Sequence, residues 1–139
     1  MLGKPNRVRL LSRQTMDDGL ADNMLATFEY PKATATIRSS VVEPFGFRRR
    51  QFSVVGTEGV IDIRPLEPPK ADLSLEKPHG SYKRGSQTVE FEKPTGRYDG
   101  DLIDLAAVIR GEKELDWDAQ HDLAVHETLL QASGMSLTK

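Results

Sequence analysis

The spacing of apolar residues changes about two-thirds of the way along this chain. From Val8 to about Phe91 they recur at close to every second position, and threonine, valine, isoleucine and phenylalanine are frequent. A period of two is typical of strands that bury one face. Tight connections interrupt the pattern, as at Pro31 and Lys32. This part of the chain is therefore predicted to form antiparallel sheet.

Two segments of the predicted sheet are specific enough to test. In the first, Met24, Ala26, Phe28 and Tyr30 alternate with other residues, so they are predicted to share one face of a strand. The second is the clearest hairpin, in which residues 52–55 pair with residues 60–63.

The connection in this hairpin is Gly56-Thr57-Glu58-Gly59. Because glycine adopts positive φ angles at little cost, Gly56 and Gly59 are expected to take them. A GxxG sequence that precedes a strand lacks the helix N-terminus that would hold a pyrophosphate. We therefore interpret it as a turn.

After Pro94 the apolar spacing becomes helical. Leu102, Leu105 and Ile109 lie on one side of a predicted helix over residues 99–110, and Gly111 follows it as a C-terminal cap. A second helix is predicted over residues 118–134; it is apolar on two sides. The predicted fold class is α+β, a large open and mostly antiparallel sheet with two C-terminal helices at about 99–110 and 118–134.

Length and composition limit the classes of protein that fit. With 139 residues, a formal net charge of −2, 37% hydrophobic and 29% charged residues, the chain is predicted to form one globular domain over residues 1–139. The longest apolar run has five residues, too few for a membrane span, and residues 1–11 do not resemble a signal peptide. The absence of cysteine excludes disulfides and thiolate chemistry. A cytoplasmic protein without a membrane partner is expected.

Three motifs that suggest chemistry have simpler interpretations. His121 and His126 diverge by roughly 140° on a helix, so no shared metal site is predicted. Arg48, Arg49 and Arg50 would alternate between the faces of a strand, where their charges protect a sheet edge. Without a cluster of base-stacking aromatic residues, and with a negative net charge, the chain is not expected to bind nucleic acid.

Several segments taken in order resemble one known family. They are Met24 to Tyr30 with Ala33 to Val41, the hairpin with its "VVGTEG" sequence, the helix from Tyr98 to Gly111, and "HDLAVHETLLQASG" from His121 to Gly134. Together they resemble the second domain of the Gfo/Idh/MocA oxidoreductases, and the resemblance covers nearly the whole chain.

The resemblance implies part of a larger enzyme. Members of that family have an N-terminal Rossmann domain that binds NAD or NADP and a C-terminal α+β domain that forms one wall of the substrate cleft. The family's dinucleotide fingerprint and catalytic lysine belong to the Rossmann domain, which this chain is predicted to lack. No cofactor or metal site is therefore expected in this chain, and the isolated chain is expected to be inactive. The substrate of the parent enzyme would be a sugar, a polyol or a related hydroxy compound.

The family's lysine lies in an EKP motif, and this chain contains two such sequences. Glu76-Lys77-Pro78 and Glu92-Lys93-Pro94 are both outside the position that the family requires. We interpret both as strand ends stopped by proline. No catalytic residue is predicted in this chain.

Arg97 and Tyr98, at the start of the first helix, are the candidates for contacting substrate hydroxyls. The alternative is that this loop only caps the helix.

Self-association is the second expectation about partners. In the family the open sheet face commonly packs against another subunit, and the small residues Ala33, Ala35, Ser39 and Ser40 would permit such an approach. A homodimer or larger oligomer is expected. The alternative function is a stand-alone β-rich binding or dimerisation module without catalysis.

Overall fold

A computed structural model describes residues 2–67, 70–92, 96 and 98–135. Its elements, in chain order, are β1 (Arg7–Arg13), β2 (Asn23–Tyr30), β3 (Ala33–Ser40), a 3-10 helix (Gly46–Arg49), β4 (Phe52–Val55), β5 (Gly59–Ile63), β6 (Lys70–Leu75), β7 (Gly85–Glu90), α1 (Asp99–Ile109) and α2 (Ala119–Ala132). The α+β class is confirmed. Both helices are also confirmed, and no end lies more than two residues from its predicted position.

The strands form two antiparallel sheets, one with the order β1-β2-β3 and one with the order β4-β5-β6-β7. The chain divides into two compact units. Unit 1 combines Met1–Glu43 with Lys113–Lys139 and holds the three-stranded sheet and α2. Unit 2 is the intervening Pro44–Glu112, with the four-stranded sheet and α1.

The core of unit 1 lies on the sheet face that the alternation of β2 predicts. Ala26 and Phe28 are both buried there, which confirms the predicted face. Residue Leu10 pairs with Ala26 across the β1–β2 ladder and shares this face. Helix α2 packs against β1, and a Cβ built on Gly134, just after the helix, would lie 3.0 Å from a methyl group of Leu10. The apolar residues of the two elements therefore meet closely.

A buried aspartate closes the loop between β1 and β2. Asp22 is only 3% exposed, and its carboxylate accepts hydrogen bonds from the backbone N–H and hydroxyl of Thr15 at 2.9 and 2.8 Å and from the N–H of Met16 at 2.9 Å. Its carbonyl accepts a bond from the N–H of Val41, just after β3. Burial alone would raise the pKa of Asp22, but these hydrogen bonds favour the charged form and the net effect is a lowered pKa.

The sheet of unit 2 has one apolar and one polar face. The apolar face of unit 2 carries Phe52, Val54, Ile61, Ile63, Ala71, Leu73, Leu75 and Val89, which the pairing register places on the same side. On the opposite side, the hydroxyls of Ser74 and Ser86 lie 2.8 Å apart and Thr88 donates to Asp72 at 3.0 Å. These cross-strand polar pairs are compatible with solvent, whereas the apolar side calls for cover.

Helix α1 begins with two acidic residues and ends before Gly111, whose φ of 73° agrees with the predicted C-terminal cap. Its apolar residues Leu102, Leu105 and Ile109 follow the predicted spacing, yet each is more than half exposed. The spacing therefore predicts the helix correctly and leaves its apolar side uncovered in this unit.

The hairpin of β4 and β5 forms as predicted, but the expected role of its glycines is wrong. Neither Gly56 nor Gly59 has a positive φ. Gly59 instead lies against β6, where a Cβ would come within 2.7 Å of the carbonyl oxygen of Ser74 and 2.8 Å of a methyl group of Leu75. Close approach of a neighbouring strand, and not turn geometry, accounts for this glycine.

Candidate functional site

Of the two predicted cleft residues, only Tyr98 can be placed, because Arg97 lies outside the described residues. Tyr98 precedes α1, is 59% exposed, and accepts a hydrogen bond on its carbonyl from the N–H of Leu102 at 3.0 Å. The carboxylate of Asp99 lies over Gly96, where a Cβ would come within 2.6 Å of an Asp99 oxygen. At the start of α1, Tyr98 is thus exposed and the Asp99 carboxylate lies over Gly96.

The charge at the start of α1 disfavours an anion. The carboxylates of Asp99 and Asp101 occupy the first turn of α1, where the partial positive charge of the helix end favours them. A second anion would be repelled there. The Tyr98 hydroxyl can donate or accept a hydrogen bond, whereas the carboxylates can only accept one.

The apolar face of unit 2 contains a hollow of about 250 Å³ that sequence reasoning missed. It is lined by Ile61, Leu73, Leu75, His79, Tyr82, Val89 and Phe91. At its rim, His79 and Tyr82 are joined by two backbone hydrogen bonds, each of 3.0 Å. The alternation of apolar residues predicts an apolar face for these strands. It does not predict the register of the three strands, so it does not predict which side chains line the hollow. We call it the apolar hollow.

A second feature without a sequence prediction is an aromatic protrusion on unit 2. Phe45 and Phe47 flank Gly46 and are 87% and 74% exposed. Phe45 has φ 56° and ψ 31°, a left-handed conformation that a residue with a bulky side chain rarely adopts. The Arg50 guanidinium lies 4.6 Å from the centre of the Phe47 ring and pairs with Glu67 at 2.7 Å. This Phe-Gly-Phe protrusion is therefore braced from one side.

The three consecutive arginines do not lie in an edge strand, and that prediction is wrong. Arg48 and Arg49 belong to the 3-10 helix, and Arg50 is its C-terminal cap. The strand begins only at Phe52 because the left-handed turn at Phe45 starts a helical turn instead. The arginines thus belong to the 3-10 turn and its cap and not to a strand.

The two histidines of α2 are separated as their spacing predicts. The ring of His121 stacks on Trp117, with 4.4 Å between ring centres. His126 Nδ1 lies 2.9 Å from the carbonyl oxygen of Asp122. Within the described ranges, no group of three or more histidine or acidic side chains is arranged to hold a metal ion.

The first EKP sequence follows the end of β6, as expected for a strand exit. Lys77 pairs with Glu58 at 3.2 Å, and both side chains are largely exposed. In the second EKP sequence, Lys93 and Pro94 lie outside the described residues. In the part of the chain that the structure describes, no helix is long and apolar enough to cross a membrane.

Comparisons with known proteins identify a fold and not a family. No protein-family model and no curated protein sequence matches this chain. It is structurally similar to "a putative oxidoreductase from Klebsiella pneumoniae", with a TM-score of 0.61 and 15% identity, over 94% of this chain and 41% of that one. It is also similar to "putative oxidoreductase yvaA from Bacillus subtilis", with a TM-score of 0.60 and 18% identity, over 93% of this chain and 43% of the other. The chain therefore has the fold of part of these proteins and spans about two-fifths of their length.

Proposed function

We propose that this chain is the substrate-side domain of an NAD(P)-dependent oxidoreductase of the Gfo/Idh/MocA type, acting on a sugar, a polyol or a related hydroxy compound. The main support for the proposal is that the structural similarity covers nearly all of this chain but less than half of each similar protein. Two oxidoreductase structures share the fold over more than nine-tenths of this chain, while over half of each lies outside it. The order of the GTEG hairpin and the two C-terminal helices supports the same interpretation.

Nucleotide binding and substrate binding are assigned to two different domains. Nucleotide binding belongs to a Rossmann domain, since this sequence has neither a GxGxxG nor a Walker-type loop. NAD(P) supplies hydride transfer there. This chain contributes a cleft wall, in which Tyr98 and the unplaced Arg97 bind substrate hydroxyls. Residues 1–139 act as one functional domain, located in the cytoplasm.

The proposal includes self-association, with a homodimer as the smallest form. Uncovered apolar surface supports it. On the same face of the unit 1 sheet as the buried Ala26 and Phe28, Ile37 is 60% exposed and shares its side of β3 with Ala33 and Ala35. An exposed apolar surface of this kind often marks an interface between protein chains.

The first experiment is titration of the purified chain with NADH, followed by an activity assay with NAD(P) and a panel of sugars and polyols. We expect no binding at micromolar concentration and no oxidation. Either NADH binding or turnover by the isolated chain would overturn the division of work. An upstream coding sequence of about 130 residues with a GxGxxG motif is also expected.

In the complete enzyme, Tyr98→Phe tests the cleft wall. Loss of one hydrogen bond to substrate costs about 1 kcal/mol, so KM should rise about fivefold with little change in kcat. Tyr82→Phe, which alters a phenol elsewhere on unit 2, is the matched control. Equal kinetics for Tyr98→Phe and the wild-type enzyme would remove Tyr98 from the substrate site. The competing function, a stand-alone binding module, would be favoured if no nucleotide-binding sequence accompanies this chain.

A further inference from the structure

The chain contains two Asp-Gly sequences, Asp18-Gly19 and Asp99-Gly100. An aspartate followed by glycine can rearrange spontaneously, because glycine has no side chain to shield its amide nitrogen and its backbone is permissive. We propose that Asp18 is a site of spontaneous conversion to isoaspartate, and that the same sequence at Asp99 is protected by its helix. This inference depends neither on the oxidoreductase function nor on self-association.

The rearrangement passes through a cyclic imide. The amide nitrogen of Gly19 attacks the side-chain carboxyl carbon of Asp18 and forms a new C–N bond. The amide hydrogen and the hydroxyl of the protonated carboxyl group leave as water. Water then adds to one of the imide carbonyls. Cleavage of the new bond restores aspartate, whereas cleavage of the original peptide bond leaves the chain linked through the side chain, as isoaspartate; mass and oxidation state are unchanged overall.

The local structure at Asp18 favours ring closure. Asp18 and Gly19 lie in an exposed turn between β1 and β2. The N–H of Leu20 donates to Asp18 Oδ1 at 3.0 Å, so the carboxyl group folds forward over the Gly19 peptide. Gly19 has φ 79°, and its N–H donates no hydrogen bond to any residue that the structure describes. The side chain is therefore directed toward an amide nitrogen without a competing partner.

The loop around Asp18 can accommodate the rearranged backbone. The Asp22 carboxylate accepts hydrogen bonds from Thr15 and Met16 and so ties the two ends of the loop together. Residues 17–20 lie between these anchors, and all of them are exposed. Isoaspartate lengthens the backbone by one methylene group. Because the added length falls in this exposed segment, β1 and β2 are expected to keep their register.

The helical Asp-Gly sequence differs in backbone conformation and not in exposure. Asp99 and Gly100 are exposed, as their counterparts in the β1–β2 loop are, yet they form the first turn of α1. The N–H of Leu102 donates to the Tyr98 carbonyl at 3.0 Å across this dipeptide. Closure of an imide ring turns the peptide out of its helical angles and breaks this turn. Loss of that bond and of the favourable Asp99 charge at the helix end corresponds to a rate about tenfold lower.

The first test follows both sequences in the folded protein. The purified chain is aged at about pH 5 and about 37 °C, where a fraction of carboxyl groups is protonated and can react. Trypsin places the two sites on separate peptides, 14–32 and 98–110, and electron-transfer fragmentation distinguishes isoaspartate from aspartate. We expect isoaspartate to accumulate at Asp18 about tenfold faster than at Asp99. Similar rates, faster conversion at Asp99, or no isoaspartate at Asp18 would each overturn the inference.

Unfolded protein is the control for the effect of sequence alone. In about 6 M guanidinium chloride at the same pH both dipeptides lose their structure, so their rates should agree within about threefold. If the difference seen in the folded protein persists in denaturant, the neighbouring residues set the rates and the protective role of the helix is wrong.

Matched variants identify the reactive residue. A protein-isoaspartate methyltransferase transfers a methyl group from S-adenosylmethionine to the carboxylate that isoaspartate exposes, so methyl incorporation measures the modified residues. Asp18→Glu keeps the charge but enlarges the ring that must close, and incorporation after ageing should fall at least about fivefold. Asp99→Glu, which makes the same change in the helix, should leave incorporation unchanged. Undiminished incorporation in Asp18→Glu, or a large loss in Asp99→Glu, would place the reactive site elsewhere.

Discussion

Replacing Gly59 with alanine tests why the GTEG hairpin needs its second glycine. The added Cβ would lie 2.7 Å from the carbonyl oxygen of Ser74, whereas ordinary contacts begin at 3.4 Å. Strand β6 would therefore have to move by about 0.7 Å. That oxygen belongs to the backbone of a strand paired on both sides, so it cannot yield as a flexible side chain would.

The expected cost follows from this overlap. Forcing additional atoms into a packed site costs about 1–3 kcal/mol, and the lower chain entropy of unfolded alanine offsets only about 0.4–1 kcal/mol. A net destabilisation of about 1–2 kcal/mol is expected for Gly59→Ala. Gly56→Ala is the matched control, since the nearest atom to its Cβ is 3.5 Å away. It should stabilise the protein by about 0.4–1 kcal/mol.

The measurement is urea denaturation followed by far-ultraviolet circular dichroism, with wild type and both variants at equal concentration. The specific result is that Gly59→Ala lowers the free energy of unfolding and Gly56→Ala raises it, although the two glycines are only three positions apart. Equal midpoints for Gly56→Ala and Gly59→Ala would show that strand contact does not determine the choice of glycine. So would destabilisation by Gly56→Ala, which would restore a turn-geometry explanation.

Three further predictions concern stability. Because its folded-state pKa is lowered, Asp22 contributes stability that is fully present above its unfolded pKa of about 3.9 and is lost as pH falls through the folded-state pKa. In denaturation midpoints measured from pH 6 to about pH 2, Asp22→Asn should abolish this part of the acid dependence. The control, Asp17→Asn at an exposed residue, should leave it unchanged. Asp118 caps α2 by accepting a 2.8 Å bond from the N–H three residues later, so its replacement by alanine should cost about 1 kcal/mol in thermal denaturation, and by serine much less. Phe28→Ala should cost about 3–5 kcal/mol, whereas Phe45→Ala should change the monomer's unfolding free energy by less than about 0.5 kcal/mol; similar losses for both would contradict their assigned burial.

The elements of this fold were predictable where one spacing dominates. The face of β2 with Ala26 and Phe28, and the helix with Leu102 and Ile109, follow from periods of two and 3.6. The predicted position of the three arginines was wrong because an alternating pattern of apolar and polar residues does not reveal a left-handed backbone conformation such as that of Phe45. Local backbone conformation decides this segment, and a pattern of polar and apolar letters does not encode it.

The candidate surfaces were less predictable than the elements. The apolar hollow depends on which residues of β5, β6 and β7 become neighbours, and register is a property of the folded sheet. Gly59 shows the same limit, because its contact with Ser74 is made across strands. For Tyr98 the position before a helix was readable, whereas the placement of the Asp99 carboxylate over Gly96 was not.

The chain order of unit 1 has a consequence for synthesis. Lys4 and Glu127 form an ion pair across a sequence separation of 123 residues, and the whole of unit 2 is translated between the two portions of unit 1. During synthesis, residues Pro44–Glu112 can therefore fold before α2, the helix that packs against β1, has been translated. Ribosome-bound fragments ending before Ala119 should expose the Leu10 side of the first sheet. A chaperone is therefore most needed at this stage of synthesis.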